Sequence, residues 1–126
     1  MSNTINTSRA QKVEVNVSNY DNINFSLTYT DNVSAPINLT NYRFNFVLHS
    51  VNNEYITNYN IPAGTLSTAY LSKTGASVNV LNMQLMFEDI RDNRIGTGNV
   101  KLIQVVTDAA NLTFVHIVYT INANKY

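Results

Sequence analysis

Apolar and polar residues alternate with a period of two wherever the chain is apolar, and that period is the mark of half-buried β-strands. Val13, Val15 and Val17 alternate with Glu14 and Asn16. Ile23, Phe25, Leu27 and Tyr29 alternate with Asn24, Ser26 and Thr28, and Tyr42, Phe44, Phe46 and Leu48 with Arg43, Asn45 and Val47. Each set offers one face to a core and one to water. Val78 and Val80, then Met83, Leu85 and Phe87, continue the theme with a change of phase near Leu81 and Asn82, which predicts a β-bulge or a strand bend there. Lys101 to Val106 and Leu112 to Ile121 are rich in β-branched residues and partly apolar on both faces, as central strands are.

The interruptions carry turn chemistry. Asp31, Asn32 and Pro36 separate one pair of strands; Asn52 and Asn53 predict a hairpin between Tyr42–His49 and Tyr55–Tyr59; Asp108 to Asn111 divide the last two strands. Gly96 and Gly98 precede the strand at Val100. Gly64 to Ala76 is compatible with one helical turn or an irregular loop. The tally is about seven or eight strands with turns every eight to twelve residues, which predicts an all-β, antiparallel, immunoglobulin-like β-sandwich, with a jelly roll or small barrel as the alternative. Residues 12–126 read as a single sandwich domain. Residues 1–11 read as a flexible N-terminal arm that holds one large apolar side chain, Ile5, too little to offset the entropy of ordering. Such an arm could be ordered on a neighbour's sheet edge.

Composition narrows the function. Eight Lys and Arg balance eight Asp and Glu, so no basic surface is expected to draw a phosphate backbone and no nucleic acid is expected as partner. Cysteine is absent, which removes disulfides, thiolate nucleophiles and Cys-based zinc sites. No apolar run is long enough for a membrane span, and no secretory signal is expected at the start of the chain. Asn, Ser and Thr make up 43 of 126 residues, 21 of them Asn. A polar surface with so little charge avoids long-range repulsion between copies, although AT-rich codon usage would give the same bias.

The residues that could carry chemistry do not assemble into a site. His49 and His116 each fall in a strand and read as residues of a wet or edge face, with no nucleophile or further ligand nearby. Glu88, Asp89 and Asp92 form the one acidic cluster, but Arg91 and Arg94 lie within it and its spacing fits no calcium loop. Gly96-Thr97-Gly98 precedes a strand and lacks the Lys of a phosphate loop. No enzyme, cofactor or metal is expected. Eight tyrosines remain; Tyr55 and Tyr59 are expected on one strand and one face, where exposed rings anchor protein interfaces or stack on sugars. The candidate interface residues are Ile5, Tyr55, Tyr59 and Tyr126.

Phe25 to Tyr29 (FSLTY) followed by Ala35 to Phe46 (APINLTNYRFNF) resembles the N-terminal module of phage baseplate upper proteins, in which a strand and turn lead through a P-x-D-L-T-G corner into an alternating aromatic strand. Asn38 stands for the Asp of that corner and Asn41 for its Gly. Gly96 to Ile121 is similar to the module's closing hairpin, so the likeness covers about 90 residues in outline. The resemblance implies an immunoglobulin-like domain that docks onto other virion proteins, with a homo-oligomer as a further option, and that performs no catalysis. Such a protein would be made in the host cytoplasm and reside in the virion. Because the chain ends at Tyr126, without a segment leading to a receptor-binding fibre, a capsid decoration protein, head-fibre base or tail or baseplate adaptor is expected. A carbohydrate- or cell-surface-binding module is the alternative.

Overall fold

The computed structural model describes residues 2–4, 11–18, 23–31, 33–49, 55–86 and 99–124. Among these it is all-β, with nine strands: β1 Ser2–Thr4, β2 Gln11–Ser18, β3 Ile23–Thr30, β4 Arg43–His49, β5 Tyr55–Ile61, β6 Leu71–Thr74, β7 Val80–Leu85, β8 Asn99–Thr107 and β9 Thr113–Asn124. They form two sheets, one of order β1-β3-β7-β6 and one of order β2-β9-β8-β4-β5.

The alternation read from the sequence decides which faces meet. Ile23, Leu27 and Tyr29 from β3 and Leu81, Met83 and Leu85 from β7 face Phe44, Phe46 and Leu48 of β4, Leu102 and Val106 of β8 and Ile117, Tyr119 and Ile121 of β9. Phe25, partly buried, meets the Tyr119 ring across the two layers at 4.8 Å between centroids. Burial of one face per sheet is what lets strands this short persist, since side-chain burial and not β-propensity supplies most of their stability.

Two loops share one geometry. Asp31 Oδ1 accepts from the amides of Val33 and Ala35, and Asp108 Oδ1 accepts from those of Ala110 and Leu112. The fourth residue of each, Ser34 and Asn111, sits at φ 64°. The β6–β7 turn likewise ends on Val78 at φ 52°.

The structure corrects several expectations. The sheets are not wholly antiparallel: β1 pairs in parallel with β3, and β2 in parallel with β9. The N-terminal stretch therefore contributes to both layers. Ser2–Thr4 of the expected arm is a strand of the domain, and Gln11 already belongs to β2. Backbone bonds to an existing edge order these polar residues without any apolar side chain. The segment 64–76 holds no helix; it folds into a loop and then β6, in which Leu71 and Lys73 alternate inward. The expected bulge near Leu81 is absent from β7, which pairs in unbroken register with β3. The strand itself keeps one phase: Val78 lies in the preceding turn, Val80 opens β7 on the less buried face, and Leu81, Met83 and Leu85 point inward. Bulges occur instead at Leu48/His49 and at Gln104/Val105.

Two outcomes are expected. Phe44→Ala should lower the unfolding free energy in urea by about 3–5 kcal/mol, the cost of truncating a fully buried aromatic; a loss below about 1 kcal/mol would mean that the ring is not in the core. Ser34→Asn should gain roughly 0.5–1 kcal/mol, because Asn adopts the left-handed region more readily and already occupies the matching place at Asn111. A neutral or destabilising result in the same titration would contradict the shared loop geometry.

Candidate functional site

Three features stand out above the apolar packing: a polar triad in the core, a buried ammonium at one end, and an apolar strip on an outer face.

The triad joins the layers. Gln104 Nε2 on β8 donates to Tyr29 Oη on β3 at 2.6 Å, and Gln104 Oε1 lies 3.3 Å from His116 Nδ1 on β9. With the amide placed so, Oε1 can only accept, and Nδ1 carries the hydrogen. All three side chains are fully buried. His116 was expected on a wet or edge face, and the β9 bulge explains the difference. Val105 pairs with Val115 and Gln104 with Ile117, so His116 is the extra residue. The bulge lets consecutive residues, His116 and Ile117, both face the core. His49, by contrast, is half-buried at the end of β4. Desolvation raises the Tyr29 hydroxyl far above its ordinary pKa of 10.0; the bond from Gln104 opposes that rise and nearby Tyr119 adds to it. Tyr119 is raised in the same way by burial, and among the described residues its hydroxyl has no hydrogen-bond partner.

Lys73 is buried on β6. Its ammonium donates to three main-chain carbonyls, Tyr42 at 2.7 Å and Thr40 and Pro62 at 3.2 Å. These bonds tie the four-stranded sheet to the segments flanking β4 and β5. Burial nevertheless lowers the pKa from 10.5 to about 8. Neither group is placed for catalysis: the triad is closed to solvent and the ammonium is spent on carbonyls.

The outer face of the five-stranded sheet is the surface of interest. Val47, Ile103 and Val118 lie in register across β4, β8 and β9, and Val105 pairs with Val115 in the adjoining row. Asn45 and Asn58 border the strip on one side and Lys12 on the other. Val115 is 41% exposed and the other four are half-buried. An antiparallel face turned to water is ordinarily polar, so five aligned β-branched side chains make an apolar patch that water covers poorly.

The expected interface residues are not brought together. Tyr55 is 62% exposed and Tyr59 6%, although they lie an even four positions apart. The β4–β5 irregularity places Tyr55 opposite His49 where plain alternation would not, and so divides the two rings between faces. Tyr59 is thus a core residue, its ring meeting Tyr70 edge-on at 5.5 Å. Ile5 and Tyr126, the acidic cluster Glu88, Asp89 and Asp92, and Gly96 to Gly98 lie outside the described residues. Among the described residues no three His, Asp or Glu gather as metal ligands, and no helix is long and apolar enough to cross a membrane. Lys73 and the patch were not singled out from sequence. Leu71-Ser72-Lys73 does alternate, but only the fold shows a lysine on the inward phase.

Alkaline titration tests the buried groups. The Lys73 pKa is lowered on folding, so between about pH 8 and 10.5 the unfolded chain holds more protons and stability rises with pH. Tyr29 and Tyr119 are raised, so their contribution is intact below pH 10.0 and is lost above it as the unfolded chain ionises. The urea midpoint should climb above pH 8 and fall past pH 10. Lys73→Met should abolish the climb, and Tyr29→Phe should soften the fall. A flat profile through pH 8–10 in the parent protein would contradict the buried ammonium.

Compared with known proteins, the chain matches no family model and no curated relative, so the reading of its function rests on its residues and their arrangement.

Proposed function

We propose that this chain is a structural subunit of a bacteriophage particle, an immunoglobulin-like β-sandwich that attaches to neighbouring virion proteins through its five-stranded sheet. The strand orders β1-β3-β7-β6 and β2-β9-β8-β4-β5 support the finer fold reading: they follow the ABED and GFC arrangement of immunoglobulin-type sandwiches, with a first strand divided between the layers and β5 added beside β4 in the place of a C′ strand. The resemblance of Phe25 to Tyr29 and Ala35 to Phe46 to the baseplate module supports the setting. A capsid decoration protein, a head-fibre base and a tail or baseplate adaptor all fit this reading. It places the protein in the virion, with no catalysis, nucleic acid or membrane in its role.

The observation that carries the proposal is the aligned strip Val47, Ile103, Val118, Val105 and Val115. It is apolar at its centre and amide-rich at its border, the composition of an interface whose core excludes charge. Burial of such a patch is favourable at about 25 cal/mol per Å², and zero net charge removes repulsion between subunits.

Val115→Lys sets a charge on the most exposed of the five without opening the core. The parent protein is expected to co-sediment with assembled particles or to self-associate in sedimentation velocity, and the variant to lose that association at least tenfold while its circular dichroism and melting temperature are kept. A folded variant that associates as well as the parent would remove this face from the proposal.

A further inference from the structure

A second surface, running from the four-stranded sheet to the β5 edge of the other, has a different chemistry. Tyr70 lies in the loop before β6, 42% exposed, and lines two adjoining grooves of about 400 and 390 Å³. The first runs over the four-stranded sheet along Asn24, Ser26, Ser72, Asn82 and Gln84. The second lies against β5 along Thr57, Asn58 and Asn60. Among the described residues, no charged side chain lines either groove.

The floor of the first groove is an ordered array. Ser26, Asn82 and Ser72 stand in register across β3, β7 and β6, and Asn24 pairs with Gln84 in the next row. Strand spacing sets these groups about 4.8 Å apart. Ser26 Oγ donates to Asn82 Oδ1 at 3.0 Å, and Asn82 Nδ2 donates to Thr74 Oγ1 at 2.8 Å and to Ser72 Oγ at 3.4 Å. The Ser72 and Thr74 hydroxyls therefore accept within the array and keep their own hydrogens to donate outward. Tyr70, in edge-on contact with Tyr59, lines the same groove beside this floor.

From this arrangement we infer that the surface around Tyr70 binds a neutral saccharide. A sugar ring has C–H faces that pack on an aromatic face, and hydroxyls that both donate and accept. Fixed amides and hydroxyls match those hydroxyls with little ordering cost. Shallow, wet grooves suit a solvated ligand better than a peptide, whose side chains need enclosed apolar pockets, and the lack of charge favours neutral sugars over acidic ones. Two grooves meeting at one ring suit an oligosaccharide that passes over Tyr70. The inference is tested apart from the assembly proposal: the second groove shares Asn58 with the border of the strip, but Val115 lines neither groove and Tyr70 is no part of the strip.

The test is an array of neutral and acidic glycans probed with the full chain, followed by saturation-transfer NMR on the best neutral hit. Binding of neutral oligosaccharides is expected, weakened at least tenfold by Tyr70→Ala, kept within about threefold by Tyr70→Phe, and unchanged by Leu112→Ala, which lies outside both grooves. Circular dichroism establishes that each variant is folded. Failure to bind any neutral glycan, binding confined to acidic ones, or a folded Tyr70→Ala protein that binds as well as the parent would each overturn the inference. None of these results depends on the state of Val115, so this test and the association test fail separately.

Discussion

The contact between Tyr29 and the Gln104 amide sets the rest of this molecule in place. An apolar core of Leu, Ile, Val and Phe holds two sheets together but discriminates weakly among their relative positions. A 2.6 Å hydrogen bond between a β3 hydroxyl and a β8 amide discriminates strongly, because a slip of either strand would leave both groups buried and unpaired, at a cost of about 1–3 kcal/mol each. His116 completes the set by donating to the same amide. To reach it, β9 has to carry one residue more than β8, and the bulge at Gln104/Val105 is where that residue is accommodated.

That bulge shapes the outside of the sheet as well as the inside. With His116 and Ile117 both turned inward, Val115 and Val118 are left on the outer face, where they meet Val105 and Ile103 of β8. In an unbroken strand two residues three apart would point to opposite faces. The polar triad in the core and the apolar strip on the surface are therefore two consequences of one inserted residue. A change that removed the bulge would rotate a stretch of β9 and disperse the strip, although none of its side chains had been altered.

Much of this was legible in the sequence. The inward sets of β3 and β4, the central character of Lys101 to Val106 and Leu112 to Ile121, and the turns at Asp31 and Asp108 follow from period and turn chemistry. What escaped has a common cause: a period of two reports faces only while the register is unbroken. Tyr55 and Tyr59 were expected on one face and His116 on a wet or edge one because their bulges leave no mark in the residue types. β1 and β6 are three and four residues long, too short for alternation to assign a face, so Lys73 could be seen as buried only once Tyr42, Thr40 and Pro62 were in place around it.

The low charge bears on how such a surface would find its partner. With net charge zero and charged residues at 13%, no net charge steers encounters, and association is expected at the slower rate of a weakly steered, orientation-limited collision. A free signalling protein would be penalised by that rate. A subunit that joins an assembly in many copies, as proposed here, is not, because its partners are presented repeatedly at high local density. Selection of the correct contact then falls to short-range features: the fit of five β-branched side chains and the amides of Asn45 and Asn58 at their border. Asn58 already donates to Asn45 Oδ1 and accepts from Tyr55, and the amide hydrogens left over must be paired or remain wet when the patch is covered, so a mismatched surface is rejected by unpaired polar groups and not by repulsion at a distance.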